Sequence, residues 1–410
     1  MEASQALLLR LLDPSTRADP YPIYAEIRAH GPLQLPDMNL VVFSSAEHCD
    51  EVLRHPSSAS DRTKSTAAQR RYAELAEQFP QDSSDAEPPS FLFLDPPDHT
   101  RLRRLVSKAF APKVVRALEP EVESLVDGLL DAAEAKGSMD LVADLAYPLP
   151  VAVICRLLGV PVSDEPEFGR ASAILAQALD PVFTFTGQAP ASFDQMMAAG
   201  VWLREYLRDL IAKRRADPGD DLMSALISVE ESGDQLTEPE IVSTCNLLLI
   251  AGHETTVNLI ANAALAMLRA PEQWKALATD TSRAPAVVEE TLRYDPPVQL
   301  VSRIAEDDMM VGGVEVPKGD VMALLIAAAN HDPAAVERPD SFDPDRPSIR
   351  HLGFGKGPHF CLGAPLARLE GTVALSKLTS RFPTARLAAE PAYKANLTLR
   401  GLAALSVAFE

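Results

Sequence analysis

The chain has 410 residues, of which 47% are hydrophobic and 23% are charged, a composition typical of a folded protein with a sizeable core. The 58 acidic residues outnumber the 38 basic ones, which gives a formal net charge of −20. A surface of this charge repels phosphate backbones and anionic lipids. We therefore expect neither nucleic acid nor a membrane surface as the main partner.

The cysteines and the start of the chain indicate a cytoplasmic protein. The four cysteines are far apart and form no Cys-x-x-Cys pair, so neither a disulfide scaffold nor a zinc finger is indicated: Cys49, Cys155, Cys245 and Cys361. An apolar run at residues 6–12 is followed at once by Asp13 and Pro14. This run is too short for a signal peptide, and we expect no membrane anchor.

The first half of the chain combines a short strand, two polar segments and a long helical region. Leu40–Phe43 is typical of a strand. Residues 63–97 are polar and rich in proline and serine, which predicts a long surface loop, either a lid over a binding site or an excursion without function. Helical periodicity dominates residues 99–215. Residues 180–195, where Phe183 and Phe185 interrupt it, form a second candidate lid.

A long apolar helix is predicted in the second half. Thr237 and Glu240 form a capping box, and the apolar sequence after them continues to Ala270, before Pro271. These limits give about 33 residues, or roughly 50 Å at 1.5 Å per residue. Such a helix crosses a whole domain.

Polar residues interrupt this helix at residues 251–256, Ala-Gly-His-Glu-Thr-Thr. Gly252 removes a side chain where another group can approach the backbone. The hydroxyl of Thr255 is placed to bond the carbonyl of Ala251, one turn back, and to loosen the helix there. Buried polar groups need partners or a wet cavity, so the segment is either a functional site or a satisfied polar network in a buried helix.

A hairpin and the lack of repeats complete the predicted architecture. Two short apolar stretches flank Gly312 and Gly313, a pair that suits a hairpin turn. The chain shows neither an internal repeat nor a long linker. The fold class is therefore mainly α with minor β, and we expect residues 1–410 to form a single large domain.

A glycine-rich loop presents Cys361 directly before residues 362–379, whose composition is helical. A thiol at a helix N-terminus faces unpaired N–H groups and the positive end of the helix dipole, and both favour the thiolate. The loop glycines allow tight turns and the close approach of a flat ligand, and His359 adds a polar contact. The alternative interpretation of a lone cysteine is a buried structural residue.

Four sequence motifs resemble those of one protein family and occur in the same order along the chain. Within residues 354–363, five positions match the haem-binding loop of cytochrome P450 enzymes: Phe354, Gly357, His359, Cys361 and Gly363. Residues 251–256 resemble the family's oxygen-activation motif in the long helix. Glu290 and Arg293 resemble its Glu-x-x-Arg pair, and residues 342–346 its meander segment. The sequence is thus similar to soluble bacterial cytochromes P450 from Asp98 to the C-terminus.

The resemblance implies the cofactor and its ligands. Cys361 would bind the iron of haem b as a thiolate, a ligand that favours cleavage of the O–O bond. Phe354 and the N–H groups around Gly363 would tune the sulfur. The remaining cofactor-binding residues would be Ala251 and Gly252 beside the haem, and His99, Arg103, Arg303 and His359 at its propionates. Outside this context, each of the four propionate residues is better explained by a surface ion pair.

The resemblance also implies catalytic and structural roles. Thr255 would hold water or bound oxygen by a hydrogen bond, and Glu254 would relay protons from solvent. Many family members have Asp at the position of Glu254, which leaves the geometry of the relay open. Glu290 and Arg293, one turn apart, would form a buried charge network with Arg346 and hold the cysteine loop in place.

Partners follow from the same resemblance. Because the chain has no flavin or iron–sulfur motif, a ferredoxin and its reductase would supply electrons. A basic patch on this otherwise acidic protein would steer an acidic ferredoxin to it. Four basic residues would form the patch, unless they are scattered solvated charges: Lys108, Lys113, Arg350 and Lys356.

The substrate would be a hydrophobic small molecule that receives one oxygen atom from O2, with fatty acid, terpenoid, steroid and macrolide left open. The residues expected to line the pocket are apolar: Leu248, Ala251, Val298, Leu300 and Leu397.

Two other functions stay open on the same scaffold. One is a peroxygenase or an enzyme of oxidative coupling. The other is a haem carrier or sensor, against which the pair Glu254 and Thr255 argues, because a carrier needs no proton relay.

Overall fold

The computed structural model describes residues 3–70, 88–176, 192–231 and 236–409. Helices dominate it, as predicted. Numbered in order over the described ranges, the α-helices are α1 Ala3–Leu12, α2 Tyr21–His30, α3 Ala46–Arg54, α4 Asp98–Ser107, α5 Pro112–Ala117, α6 Glu119–Lys136, α7 Pro148–Leu158, α8 Glu165–Ala176, α9 Phe193–Ala216, α10 Leu222–Glu231, α11 Glu238–Arg269, α12 Pro271–Thr279, α13 Ala284–Tyr294, α14 Ile326–Asn330 and α15 Ala364–Arg381.

The strands are short and form four small sheets. They are β1 Leu33–Leu35, β2 Leu40–Phe43, β3 Ser58–Ala59, β4 Ser138–Asp140, β5 Leu300–Ala305, β6 Met309–Val311, β7 Val314–Val316, β8 Val321–Leu325, β9 Arg386–Leu387, β10 Ala392–Tyr393, β11 Leu402–Ala404 and β12 Ser406–Ala408. The largest sheet has the order β1-β2-β8-β5-β3, in which only β2 and β8 are parallel. The minor β component of the prediction is confirmed.

The five-stranded sheet is buried on both faces. Val42 and Ala323 face one apolar cluster, whereas Phe43 and Leu324 face another. This explains why β2 and β8 are continuous apolar runs without polar alternation. The main helical core is a third and larger cluster, and it contains most of the buried residues of α11.

Helix α11 lies at the centre of this helical core. It packs against α7, α8, α13 and α15, and its 32 residues span about 48 Å at 1.5 Å per residue. The predicted capping box is present, with the carboxylate of Glu240 accepting from the backbone N–H of Thr237 at 2.8 Å. α11 ends at Arg269, just before the predicted limit, and Pro271 is the first residue of α12.

Several local predictions are confirmed. Leu40–Phe43 is a strand, and the hairpin consists of Met309–Val311 and Val314–Val316 around the two glycines. The helix after Cys361 begins at Ala364, two residues later than predicted.

The predicted lids fall largely outside the described residues. This applies to residues 71–87 of the first and to residues 180–191 of the second. The described ends of the first segment contain short 3-10 turns at Arg62–Lys64 and Phe91–Phe93. Within the described ranges, every helix is too short or too polar to cross a membrane.

A buried charge network joins α13 to the meander segment. The guanidinium of Arg293 binds both carboxylate oxygens of Glu290 at 2.8 Å, and neither side chain is exposed. Arg346 reaches the same carboxylate at 3.1 Å. The remaining guanidinium donors bind backbone carbonyls, those of Pro339 and Ser341 among them. The network therefore fixes an irregular stretch of backbone.

The link from this network to the cysteine loop is Asn330. Its side chain donates to the carbonyl of Leu292 at 3.0 Å and accepts from the N–H of Leu352 at 2.8 Å. Leu352 lies two residues before Phe354, where the loop begins. The network thus supports the loop through one intermediate side chain and not by direct contact.

We expect Glu290→Ala to lower the free energy of unfolding by about 3–5 kcal/mol, because it leaves two buried guanidinium groups without a carboxylate to balance their charge. Chemical denaturation measures this loss, and the purified variant should contain less haem. The control is Asp345→Ala in the same meander, which breaks a pair whose carboxylate is 61% exposed and should cost less than about 1 kcal/mol. Full haem content in Glu290→Ala would contradict the structural role of the network.

Candidate functional site

The loop around Cys361 is a tight backbone turn. Gly355 and Gly357 have φ angles of 68° and 67°, in the left-handed region that favours glycine. At Gly357 a Cβ would also lie 2.4 Å from the carbonyl oxygen of Leu53, so this position needs glycine for space as well. The N–H of Cys361 donates to the carbonyl of Phe354 at 2.8 Å and closes the loop.

The thiol of Cys361 differs from the other three. Cys49, Cys155 and Cys245 are buried, whereas Cys361 is partly exposed. Burial raises the pKa of the Cys361 thiol, and the N–H groups of Gly363 and Ala364 and the charge of Arg103 lower it only in part. The expected preference for thiolate is therefore not met by the polypeptide alone. A metal ion bound at this sulfur would supply the missing charge, because a coordinating thiol loses its proton.

Four basic side chains converge beside this loop. The rings of His99 and His359 lie 4.0 Å apart between their centroids. His99 is 2% exposed, and neither of its ring nitrogens has a partner among the described residues. Burial and the charge of Arg303 lower the pKa of His359 to about 3. Arg103 donates to the carbonyl of Phe360 on the cysteine loop.

Arg303 lacks a carboxylate partner within the described ranges. It donates to the carbonyl of Ser302 at 2.8 Å, and burial lowers its pKa to about 10. A pocket that disfavours its own positive charges is a pocket suited to anions. The residues present thus fit the two propionates of a haem, and the surface-pair explanation is wrong for His99, which is buried.

The middle of α11 is the second wall of the site. Most of the helix is buried, yet Ala251, Gly252 and Thr255 are partly exposed within it. As predicted, the hydroxyl of Thr255 donates to the carbonyl of Ala251, at 2.6 Å. A Cβ at Gly252 would make only an ordinary contact with Ile154. Gly363, on the other side, has open space where its Cβ would lie. Both glycines leave room for a flat ligand.

An ion pair beside Thr255 was missed by the sequence interpretation. The carboxylate of Glu254 accepts from the ammonium of Lys394 at 2.5 Å, and their side chains are 9% and 30% exposed. Lys394 follows β10, 140 residues further along the chain. No local motif contains it. Glu254, for which a relay role was predicted, therefore already has a cationic partner.

The predicted pocket residues lie around these elements. Leu248 belongs to the helical core, and Leu300 and Leu397 belong to one cluster beside the sheet. Ala251 and Val298 are partly exposed. Among the predicted basic residues, Lys108, Lys113 and Arg350 are exposed, and Lys356 is partly exposed on the cysteine loop.

The family model of cytochrome P450 matches residues 33–391, which is most of the chain. The chain belongs to the cytochrome P450 family. The ligand-free crystal structure of CYP164A2 from Mycobacterium smegmatis is 68% identical, with a TM-score of 0.93 over 98% of this chain and 100% of that one. Vitamin D(3) 25-hydroxylase of Pseudonocardia autotrophica is 39% identical over 95% of this chain and 93% of its own length.

A further solved cytochrome P450 is similar over nearly the whole chain. Myxobacterial CYP267B1 in complex with myristic acid is 38% identical, with a TM-score of 0.86 over 98% of this chain and 99% of that one. Membership of the family establishes a haem cofactor held by a cysteine thiolate. It also establishes a monooxygenase that uses O2, a redox partner and a hydrophobic substrate.

We expect Arg303→Leu to weaken haem binding by the cytochrome P450 at least about tenfold, because a charge-assisted hydrogen bond is worth about 1.5–3 kcal/mol. Titration of the haem-free protein with haemin measures the affinity. Arg303→Lys should restore part of it, and Arg386→Leu, a change of an exposed arginine on β9, should have no effect. Equal haemin affinities of Arg303→Leu and the parent would show that other residues hold the propionates.

Proposed function

We propose that Cys361 is the iron ligand of this cytochrome P450 and that the protein inserts one oxygen atom of O2 into a hydrophobic small molecule. One observation carries the proposal. In the described part of the chain, Cys361 alone of the cysteines is partly exposed, and it stands where two N–H groups at the start of α15 bond its sulfur. Thiolate-ligated haem, when bound, activates dioxygen.

The side chains around Cys361 hold and tune the sulfur. The ring of Phe354 lies under the guanidinium of Arg368, which is 4.7 Å from the ring centroid. The N–H groups of Gly363 and Ala364 donate to the sulfur and spread its negative charge. His99, Arg103, Arg303 and His359 would hold the propionates, and Ala251 and Gly252 would leave room for the haem beside α11.

Thr255 and Glu254 handle protons on the α11 side. Each turnover consumes two protons and two electrons, and one oxygen atom leaves as water. The hydroxyl of Thr255, now bound to the carbonyl of Ala251, rotates to hold a water molecule at the reacting oxygen. The carboxyl of Glu254 passes protons to that water and is charged again from solvent. Lys394 positions the carboxylate through their ion pair.

We expect Thr255→Ala to uncouple turnover. Without the hydroxyl, water near the reacting oxygen is no longer ordered. Product per nicotinamide oxidised should therefore fall at least about tenfold while peroxide rises, since positioned proton transfer typically contributes about 10²–10⁴-fold. Product, nicotinamide and peroxide are measured together. The control is Thr256→Ala, the neighbouring hydroxyl, which is buried at 3% exposure. Both variants should keep the carbon monoxide absorption band of thiolate-ligated haem.

Two outcomes separate the parts of this proposal. Normal coupling in Thr255→Ala would remove the role of its hydroxyl. Absence of the thiolate band in the parent protein would remove Cys361 as the ligand.

The substrate we propose is long, apolar and uncharged at its reacting end. Leu248, Leu300 and Leu397 offer hydrocarbon surface, and the nearby charges of Glu254 and Lys394 neutralise each other. The similar proteins are consistent with this class, since one is named for vitamin D(3) and another was crystallised with myristic acid.

The electron donor we propose is a ferredoxin. Lys108, Lys113 and Arg350 are exposed basic residues on an otherwise acidic protein. The aromatic ring of Phe360, next to Cys361, is 38% exposed and gives a contact close to the sulfur. Opposite charge steers an acidic ferredoxin to such a surface.

We expect Lys356→Glu to slow reduction by a ferredoxin about tenfold at low ionic strength, because steering contributes at least that factor. Stopped-flow reduction at several salt concentrations measures this, and the parent rate should fall steeply with salt. The control is Lys318→Glu. Lys318 is 69% exposed and is not one of the four basic residues of the patch. A parent rate insensitive to salt, or full turnover with peroxide alone, would favour a peroxygenase instead.

A further inference from the structure

A second carboxylate on α13 directly precedes Glu290 in the chain but belongs to a different ion pair. The guanidinium of Arg368 donates two parallel hydrogen bonds to Glu289, one of 2.6 Å from Nε to Oε1 and one of 3.0 Å from Nη2 to Oε2. A forked pair of this kind fixes the relative orientation of both groups. Because Arg368 lies on α15, the pair links α13 to the helix that follows Cys361.

The imidazole of His351 holds the same carboxylate. Its Nε2 lies 3.1 Å from Oε2 of Glu289, and its Nδ1 accepts from the backbone N–H of Gly353 at 3.1 Å. A ring nitrogen that accepts a hydrogen bond carries no proton, so the proton of the ring is on Nε2 and is donated to Glu289. The ring is therefore neutral in this arrangement, and the three side chains together carry one positive and one negative charge.

Both charges of the pair are present at neutral pH. Burial raises the pKa of the Glu289 carboxyl, but the hydrogen bonds from His351 and Arg368 outweigh it and bring this pKa to about 2. The guanidinium of an arginine keeps its proton in proteins. The pair is thus a fixed dipole of two full charges.

This dipole lies against the cysteine loop. The guanidinium carbon of Arg368 is 4.7 Å from the ring centroid of Phe354, and the ring of His351 is 5.8 Å from the same centroid. The carbonyl of Phe354 in turn accepts from the N–H of Cys361. Burial raises the pKa of the Cys361 thiol, and the charge of Arg368 is one of the smaller influences that lower it. Arg368 is therefore close enough to act on negative charge at the sulfur.

A charge in this position also acts on an electron added at the sulfur's ligand. A positive charge favours one-electron reduction and a negative charge opposes it. At about 10 Å, Coulomb's law changes the equilibrium constant for reduction about twofold at a dielectric constant of 80 and about sixteenfold at 20. The side chains of Arg368 and Glu289 are 40% and 27% exposed, so solvent screens them and the effect lies towards the lower limit.

We propose that Glu289 and Arg368 set the reduction potential of the haem iron as an opposed pair of charges, in which Glu289 cancels the effect of Arg368 in favouring reduction. The proposal rests on the proposed role of Cys361 as the iron ligand. Both side chains act at a distance on the electron that ferric iron takes up from its donor. His351 is a positioning residue, since it holds the carboxylate of Glu289 in place.

The test removes one charge at a time. Glu289→Gln keeps the shape of the side chain and should raise the equilibrium constant for one-electron reduction about threefold, which is about 28 mV at 59 mV per tenfold change. Arg368→Met leaves the carboxylate without its counter-charge and should lower the constant by about the same factor. Redox titration of the haem-loaded, substrate-free protein, followed by its absorption spectrum, measures both constants.

The double variant Glu289→Gln with Arg368→Met separates charge from structure. Since both charges are then absent, its equilibrium constant should return close to that of the parent. If the pair only supported the cysteine loop, each single variant would shift the constant in the same direction and the double variant would not restore it.

The matched control is Lys377→Met, which removes a positive charge from the same helix. Lys377 pairs with Asp127 at 2.9 Å, and its side chain is 28% exposed. It lies nine residues after Arg368, which places it about 14 Å further along the axis of α15. Its equilibrium constant should equal that of the parent.

Several results would overturn the proposal. Equal constants in Glu289→Gln, Arg368→Met and the parent would do so, and so would shifts of the same sign in the two single variants. If Arg368→Met does not bind haem, Arg368→Gln replaces it with the same expectation, because an uncharged amide can still donate to Glu289.

The carbon monoxide band distinguishes this failure from failure of the proposed function. If the parent lacks the band of thiolate-ligated haem, Cys361 is not the ligand and both proposals are wrong. If the parent and all variants show the band while their constants stay equal, only the role of Glu289 and Arg368 is wrong.

Discussion

The setting of the Cys361 sulfur is the constraint on which the rest of the site depends. Burial opposes the thiolate, and the N–H groups of Gly363 and Ala364 offset that opposition only in part. On the proposed assignment, a coordinated iron cation would offset the rest, because a metal-bound thiol loses its proton. The loop fixes the position of Cys361 with two left-handed glycines and the hydrogen bond from its N–H to the carbonyl of Phe354. The charge network at Glu290 braces the preceding backbone through Asn330.

The sequence predicted those parts of the site that are local in the chain. Thr255 bonds the carbonyl four residues back because helix geometry puts it there. Glu290 and Arg293 pair because they lie one turn apart. The strand Leu40–Phe43 and the capped helix α11 could be predicted for the same reason. Their apolar patterns and their end signals depend only on residues close together in the chain. The helix after Cys361 began later than predicted because composition marks no boundary.

The parts that escaped prediction are contacts between distant segments. Lys394 reaches Glu254 across 140 residues, and only the folded C-terminal segment brings them together. Gly401 makes room for Asn258 in the same way. The pKa of Cys361 was judged from its helix position, but burial, a property of the whole fold, outweighs that position. Convergence of His99 with Arg303 became visible through the family resemblance and not through any pattern in the chain.

Charge balance in this site explains why an apolar pocket can exist beside so many ionisable groups. On the proposed assignment, the cations Arg103 and Arg303 are matched by propionates, and Glu254 is matched by Lys394. Each of these charges then has a partner outside the substrate space, so none of the four described side chains needs a counterion from the substrate. Selection among substrates then rests on shape and hydrocarbon contact, for which Leu248, Leu300 and Leu397 supply the surface.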